Sequence, residues 1–202
     1  MKQWNIKERK LTKDYGQIHD DYIRSIVVTN NDVWLFTSDS DGKLKQFDIK
    51  KQCLHKDFKK IHASSIWSMA CTHDNNFIFT SDNSGNLKQW RIQEQKVYKD
   101  FGKIHSDGIR AIAVTKDDQY LFTSYIGGTL KQFDILKGEC LKMYGKVHSN
   151  WIYAIIPTCD NLYLFTSDGY GKMKQWGIDQ QAMVYDYGQV HDGHIFSMAV
   201  NN

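Results

Sequence analysis

Short apolar runs separated by polar turns fill this chain, and no stretch shows the period of an amphipathic helix. The segment from Leu54 to Ile92 shows the pattern. Leu54-His55-Lys56-Asp57-Phe58 alternates in character and ends at Lys59-Lys60. After His62 and the small polar turn Ala63-Ser64-Ser65 comes a mostly apolar run, Ile66-Trp67-Ser68-Met69-Ala70-Cys71-Thr72. His73-Asp74-Asn75-Asn76 has the composition of a turn. Phe77-Ile78-Phe79-Thr80-Ser81 is aromatic and β-branched, as a buried strand requires. Asp82-Asn83-Ser84-Gly85 is a second turn, with Gly85 where a hairpin needs positive φ. Leu87 to Ile92 follows as the next strand. Four short strands are predicted, with turns every 8 to 12 residues or so.

That unit is copied without insertion every 43 residues. Lys2-Gln3-Trp4 returns as Lys45-Gln46-Phe47, Lys88-Gln89-Trp90, Lys131-Gln132-Phe133 and Lys174-Gln175-Trp176. A histidine keeps the same step at His19, His62, His105, His148 and His191, and Gly85 has counterparts in Gly42, Gly128 and Gly171. Four antiparallel strands in about 40 residues make one blade of a β-propeller. Residues 1–202 therefore read as one all-β array, with units at about 2–44, 45–87, 88–130, 131–173 and 174–202. Copied blades bury their faces against one another, so function must lie in what differs between copies.

Composition narrows the field. Apolar residues make up 41% and aromatics 13%, enough for a packed core. A formal charge of +3, from 26 basic and 23 acidic residues, is too balanced to imply a nucleic-acid or membrane surface by itself. Cys53, Cys71, Cys140 and Cys159 occupy four different repeat positions, which reads as reduced thiols in a reducing compartment. The first residues already lie inside the repeat, so no signal peptide is expected, and no run approaches the roughly 18 apolar residues of a membrane span. A soluble, cytoplasmic protein is expected.

These residues resemble the WD-repeat β-propeller family over essentially the whole chain. The resemblance implies a structural network in each blade. It joins a histidine before the inner strand a (His19, His62, His105, His148) to a strand-b threonine (Thr37, Thr80, Thr123, Thr166) and a strand-c tryptophan (Trp90, Trp176). Phe47 and Phe133 replace that tryptophan in the other blades. No Trp-Asp dipeptide occurs. The family's turn aspartate is expected at Asp41 alone, since its equivalents are Ser84, Gly127 and Tyr170, so the His–Asp part should fail in three blades. Gln46, Gln89, Gln132 and Gln175 occupy a usually apolar strand-c position, and a buried amide needs partners. A ring of glutamines bonded from blade to blade is expected. The histidines lie on separate blades and cannot converge to the about 2.0–2.1 Å of one metal ion, so neither metal nor cofactor is implied.

Counting strands gives four complete blades plus a partial fifth. Strands c and d stand at the N-terminus (Trp4, then Leu11 to Tyr15) and strand a at the C-terminus, Ile195 to Val200. A fragment of a larger ring, or an imperfectly closed five-blade ring, is expected. A bare blade face of ~400 Å² would cost ~10 kcal/mol, comparable to a whole domain's stability, so self-association or completion by a partner is expected.

In the family, the residue after the first apolar residue of strand a lines the mouth of the central channel. Carried over, those positions are Arg24, Trp67, Arg110, Tyr153 and Phe196. Two residues earlier on the rim stand Tyr22, Ser65, Gly108, Trp151 and His194. Ile23, Ile66, Ile109, Ile152 and Ile195 sit between them without exception. Arginines and large aromatics have the composition of interaction hot spots and suit an acidic, phosphorylated or aromatic side chain. A non-catalytic scaffold docking peptide segments of other proteins is the leading expectation. The alternative is an anionic ligand, RNA or a lipid head group, on the outer-strand lysines Lys13, Lys56, Lys99 and Lys142. Beside these stand Asp14, Asp57, Asp100 and Asp186, and alternating charge is also ordinary protection of an edge strand. An enzyme ranks last: the channel positions hold no carboxylate, and no phosphate loop or nucleophile elbow is present.

Overall fold

The strand pattern is realised as eighteen strands and, among the described residues, no helix. The computed structural model describes residues 1–200. It opens with an antiparallel hairpin, β1 (Lys2–Asn5) and β2 (Lys10–Asp14). Four four-stranded antiparallel sheets follow, each a meander in which spatial order is chain order. Blade I is β3 (Ile23–Val28), β4 (Trp34–Asp39), β5 (Lys43–Asp48) and β6 (Cys53–Lys60). Blade II is β7 (Ile66–Cys71), β8 (Phe77–Asp82), β9 (Asn86–Arg91) and β10 (Lys96–Lys103). Blade III is β11 (Ile109–Val114), β12 (Tyr120–Tyr125), β13 (Thr129–Asp134) and β14 (Glu139–Lys146). Blade IV is β15 (Ile152–Pro157), β16 (Tyr163–Asp168), β17 (Lys172–Gly177) and β18 (Ala182–Gln189). The inner strands β3, β7, β11 and β15 neighbour one another in that order.

The core lies in the seams between blades rather than at one centre. Phe36 and Leu44 of blade I pack on Ile66, Met69, Ile78 and Trp90 of blade II. Phe79 and Leu87 meet Ile109, Ile112, Leu121 and Phe133 in the next seam, and Phe122 and Leu130 meet Ile152, Ile155, Leu164 and Trp176 in the third. Full burial of one such side chain is worth about 1.5–3 kcal/mol, so each seam holds a substantial share of the stability. The outer strand adds a ring to the strand-c ring of the following blade. Tyr15–Phe47, Phe58–Trp90, Phe101–Phe133 and Tyr144–Trp176 are edge-to-face at 5.6, 5.7, 6.1 and 5.5 Å. Tyr15 thus seats the N-terminal hairpin as the neighbour preceding blade I. On the far side of β3 the arc is open: Ile26 and Val28 are 52% and 46% exposed, against 7% and 6% for Ile112 and Val114.

The run 195–200 corrects one expectation. It pairs in no sheet among the described residues, because a strand needs a ladder partner and none stands beside it. Among the described residues, two hydrogen bonds tie it to blade IV. Ile195 donates its N–H to the Asp168 carbonyl at 3.3 Å, and Ser167 Oγ donates to the Ile195 carbonyl at 3.2 Å.

Candidate functional site

Each inner strand begins with the same irregularity. Its ladder to strand b skips one residue, between Ile23 and Ser25, Ile66 and Ser68, Ile109 and Ala111, and Ile152 and Ala154. The skipped residues are Arg24, Trp67, Arg110 and Tyr153. A bulge leaves its extra residue without a cross-strand partner and turns the side chain out of the sheet's alternation. In blades II, III and IV the isoleucine before it is locked in the seam, with Ile66, Ile109 and Ile152 fully buried, whereas Ile23 at the open end is 36% exposed. The rim position is pinned from below by its own backbone. The carbonyls of Tyr22, Ser65, Gly108 and Trp151 accept N–H bonds from the b–c turn at 3.0, 2.9, 3.2 and 3.1 Å. Backbone is fixed on both sides while the side chains stand clear of it.

The bulged residues converge. Arg24, Trp67, Arg110, Tyr153 and Phe196 line one cavity of about 360 Å³ with the inner strands. The Arg110 guanidinium lies 4.9 Å from the Trp67 ring and 5.0 Å from the Tyr153 ring, a cation held between two aromatic faces across three blades. Burial lowers the Arg110 pKa; the Arg24 charge acts in the same direction and Tyr153 opposes it. Arg24 lies 5.6 Å over the Tyr22 ring and donates from Nε to Ser40 Oγ at 2.6 Å. Tyr153 also meets Phe196 at 4.9 Å, His194 at 5.5 Å and Trp151 at 6.0 Å. All eight candidate docking residues therefore belong to one surface. Ser40, a turn residue, escaped the sequence reading because nothing in its repeat position marks it.

The structural network beneath this surface is deeper than expected. His19, His62, His105 and His148 place Nε2 at 2.7, 2.8, 2.8 and 2.8 Å from Thr37, Thr80, Thr123 and Thr166. Trp90 and Trp176 donate Nε1–H to Thr80 and Thr166 at 3.1 and 3.0 Å. The acidic partner is not Asp41. It is Asp39, Asp82 and Asp168, whose Oδ2 atoms lie 2.8, 3.2 and 3.1 Å from His19, His62 and His148 Nδ1. Oδ1 of the same aspartates accepts backbone N–H bonds that close the turn, from Asp41 and Lys43 in blade I. Asp41 stands outside the network and pairs with Lys43 at 3.2 Å. The His–Asp link thus fails in one blade, not three, where Tyr125 takes the aspartate's place and its ring lies 5.1 Å from that of His105. Burial pushes Asp82 up, but hydrogen bonds from His62 and Asn86 outweigh it and hold the carboxyl at about 2. Burial, with Lys131 acting the same way, takes His105 down to about 3.

No glutamine ring bonded from blade to blade forms: Gln46 and Gln89 are buried without a protein partner, and the other glutamines bond within their own blade. Tyr15, Tyr144 and Tyr187 donate O–H to Gln3, Gln132 and Gln175 at 3.0, 2.8 and 3.1 Å. The outer-strand aspartates answer lysines of strand c, with Lys88–Asp100 at 3.4 Å and Lys174–Asp186 at 3.2 Å. Lys99 donates to the Gly138 carbonyl at 2.9 Å.

Three units of this meander, each with a His–Thr pair and a bulged inner strand, match the model of the WD domain, G-beta repeat, at residues 11–48, 51–91 and 96–134. The chain belongs to the WD-repeat family. Each matched unit starts on an outer strand or just before one and ends on strand c of the next blade. The ring pair Phe58–Trp90 therefore falls inside one WD repeat. Two solved structures share the fold. "Structure of U3-55K" aligns with a TM-score of 0.75 at 17% identity, covering 83% of this chain and 52% of that one. "Crystal structure of RRP9 WD40 repeats" aligns with a TM-score of 0.75 at 18% identity and the same coverage. This WD-repeat chain spans about half the length of those two, at 52%. No curated protein sequence matches it.

Proposed function

We propose that this WD-repeat chain is a non-catalytic, cytoplasmic docking platform that binds peptide segments of partner proteins at the channel mouth. WD-repeat domains generally act as protein-interaction scaffolds. The observation that carries the reading is the Trp67–Arg110–Tyr153 stack, built on bulges of three successive blades and open to solvent through one cavity. Stacked arginine and tryptophan on a rigid frame lose little side-chain freedom on binding, which is the character of hot spots. The lining carries hydroxyls, arginines and apolar groups but no carboxylate to serve as general acid or base, which supports a platform rather than an enzyme.

The test is affinity capture from the source cell with the wild-type chain and with Trp67→Ala, Arg110→Ala and Lys56→Ala/Lys99→Ala. A partner retained by the wild type and the lysine variant but lost by Trp67→Ala and Arg110→Ala supports the reading. Loss with the lysine variant alone moves docking to the outer strands. A steep salt dependence would then mark an anionic ligand such as RNA or a lipid head group.

A further inference from the structure

We infer that the group read at the channel mouth is a phosphorylated side chain of the docking peptide, held between the guanidiniums of Arg24 and Arg110. This rests on the docking reading above and names the chemistry it selects. The cavity lining contains two arginines and no carboxylate. Two cations elsewhere show the contrast: Arg91 meets Glu94 at 2.7 Å, and Lys43 meets Asp20 and Asp41 at 2.8 and 3.2 Å. Arg110 instead lies over two aromatic rings, Trp67 at 4.9 Å and Tyr153 at 5.0 Å. A ring face offers no lone pair to a guanidinium N–H, so these contacts leave the Arg110 donors for a ligand that brings acceptors. Arg24 commits Nε to Ser40 and keeps its two terminal amines.

The two guanidiniums also act on each other, since the Arg24 charge is among the influences that lower the Arg110 pKa. Two cations sharing a partly desolvated cavity call for an anion that balances both. A carboxylate brings one charge, whereas a phosphomonoester brings about −1.5 to −2 and three acceptor oxygens. It can accept from both forks at once. The rings of Trp67, Tyr153 and Phe196 line the same cavity and set apolar faces beside the two guanidiniums.

The experiment is retention of degenerate peptide libraries on the immobilised wild-type chain. The central residue of each library is fixed as phosphoserine, phosphothreonine, phosphotyrosine, glutamate or serine. At least one phosphorylated library is expected to be retained about tenfold or more over glutamate and serine. Arg24→Gln and Arg110→Gln should each remove that preference, and Arg110→Lys, which keeps charge but loses the planar fork, should restore it only in part. Thermal melts of every variant separate lost binding from lost folding. Equal retention of phosphorylated and serine libraries overturns the phosphate assignment while leaving the docking reading in place, provided Trp67→Ala abolishes that retention. Retention of no library overturns both. A phosphate preference that survives Arg24→Gln/Arg110→Gln in a folded chain overturns the assignment of the site.

Discussion

Tyr144 donates its hydroxyl to the Gln132 amide oxygen at 2.8 Å, whereas Gln89, at the same position one blade earlier, has Phe101 where that tyrosine would be. Both amide atoms of Gln89 are buried without a protein partner, and Gln46, which has Phe58, is in the same position. Phe101→Tyr should therefore stabilise the chain by about 1 kcal/mol, the net worth of one hydrogen bond, and Tyr144→Phe should cost a similar or larger amount. Urea unfolding midpoints decide it. A lower midpoint for Phe101→Tyr would show that the seam has no room for the hydroxyl.

Gly85 and Gly102 separate two uses of the same residue. Gly85 has φ +89°, and a Cβ there would meet the carbonyl oxygen of His105 at 2.3 Å. Gly102 has φ +64° with nothing within 4 Å, and blade I already carries Lys59 at that position with φ 61°. Gly85→Ala should cost about 2–4 kcal/mol from strain plus collision, and Gly102→Ala about 1 kcal/mol or less. Equal losses in thermal or chemical unfolding would refute this reading of the b–c turn.

Blade III should be the most acid-sensitive, although burial lowers the His148 pKa in blade IV as well. Folding takes His105 from an ordinary value near 6.5 to about 3, so the unfolded chain binds the proton first. Its contribution is fully present above about pH 6.5 and is lost as pH falls toward 3. Tyr125→Asp should supply the carboxylate found in the other blades, raise the His105 pKa and flatten the decline between about pH 6.5 and 4.5. Histidine NMR titration with unfolding at each pH reads both effects. An unshifted His105 resonance in the variant would sink the prediction.

Trp90 tests the network from the other side. Its indole donates to Thr80 at 3.1 Å, and Phe47 and Phe133 fill the equivalent place without donating. Trp90→Phe should cost about 1 kcal/mol. A loss several times larger would show that packing on Phe58 outweighs the hydrogen bond.

At the mouth, Trp67→Ala and Arg110→Ala should each weaken peptide binding by about 2 kcal/mol or more with little change in stability, while Lys56→Ala and Lys99→Ala change binding little. Calorimetric titration against the captured partner segment measures it. Strong destabilisation by either mouth variant would mean that these side chains brace the blades.

The four-strand unit and its seams are legible in the chain because the 43-residue step preserves apolar identity at every seam position. The mouth is legible for the opposite reason: one position changes chemistry while the isoleucine beside it does not. The network aspartate is harder. Asp39 and Asp41 share one turn, composition does not rank them, and only the bond from Asp39 to His19 at 2.8 Å does so. The series Asp39, Asp82, Tyr125, Asp168 carries the missing signal, three acids kept at the repeat step. The Gln–Tyr pairs are hidden because two register shifts between strands c and d separate sequence spacing from contact. The run 195–200 has strand composition, but pairing depends on a neighbour that composition does not report.

If partners dock as proposed, the bulge at the head of each inner strand makes the mouth a rewritable address. Arg24, Trp67, Arg110 and Tyr153 answer to no opposite residue in the ladder, so exchanging one for another leaves the fold's own bonding intact. A different combination of letters at these four places would select a different guest on an unchanged frame. On the docking reading proposed above, partner choice could thus be edited one residue at a time.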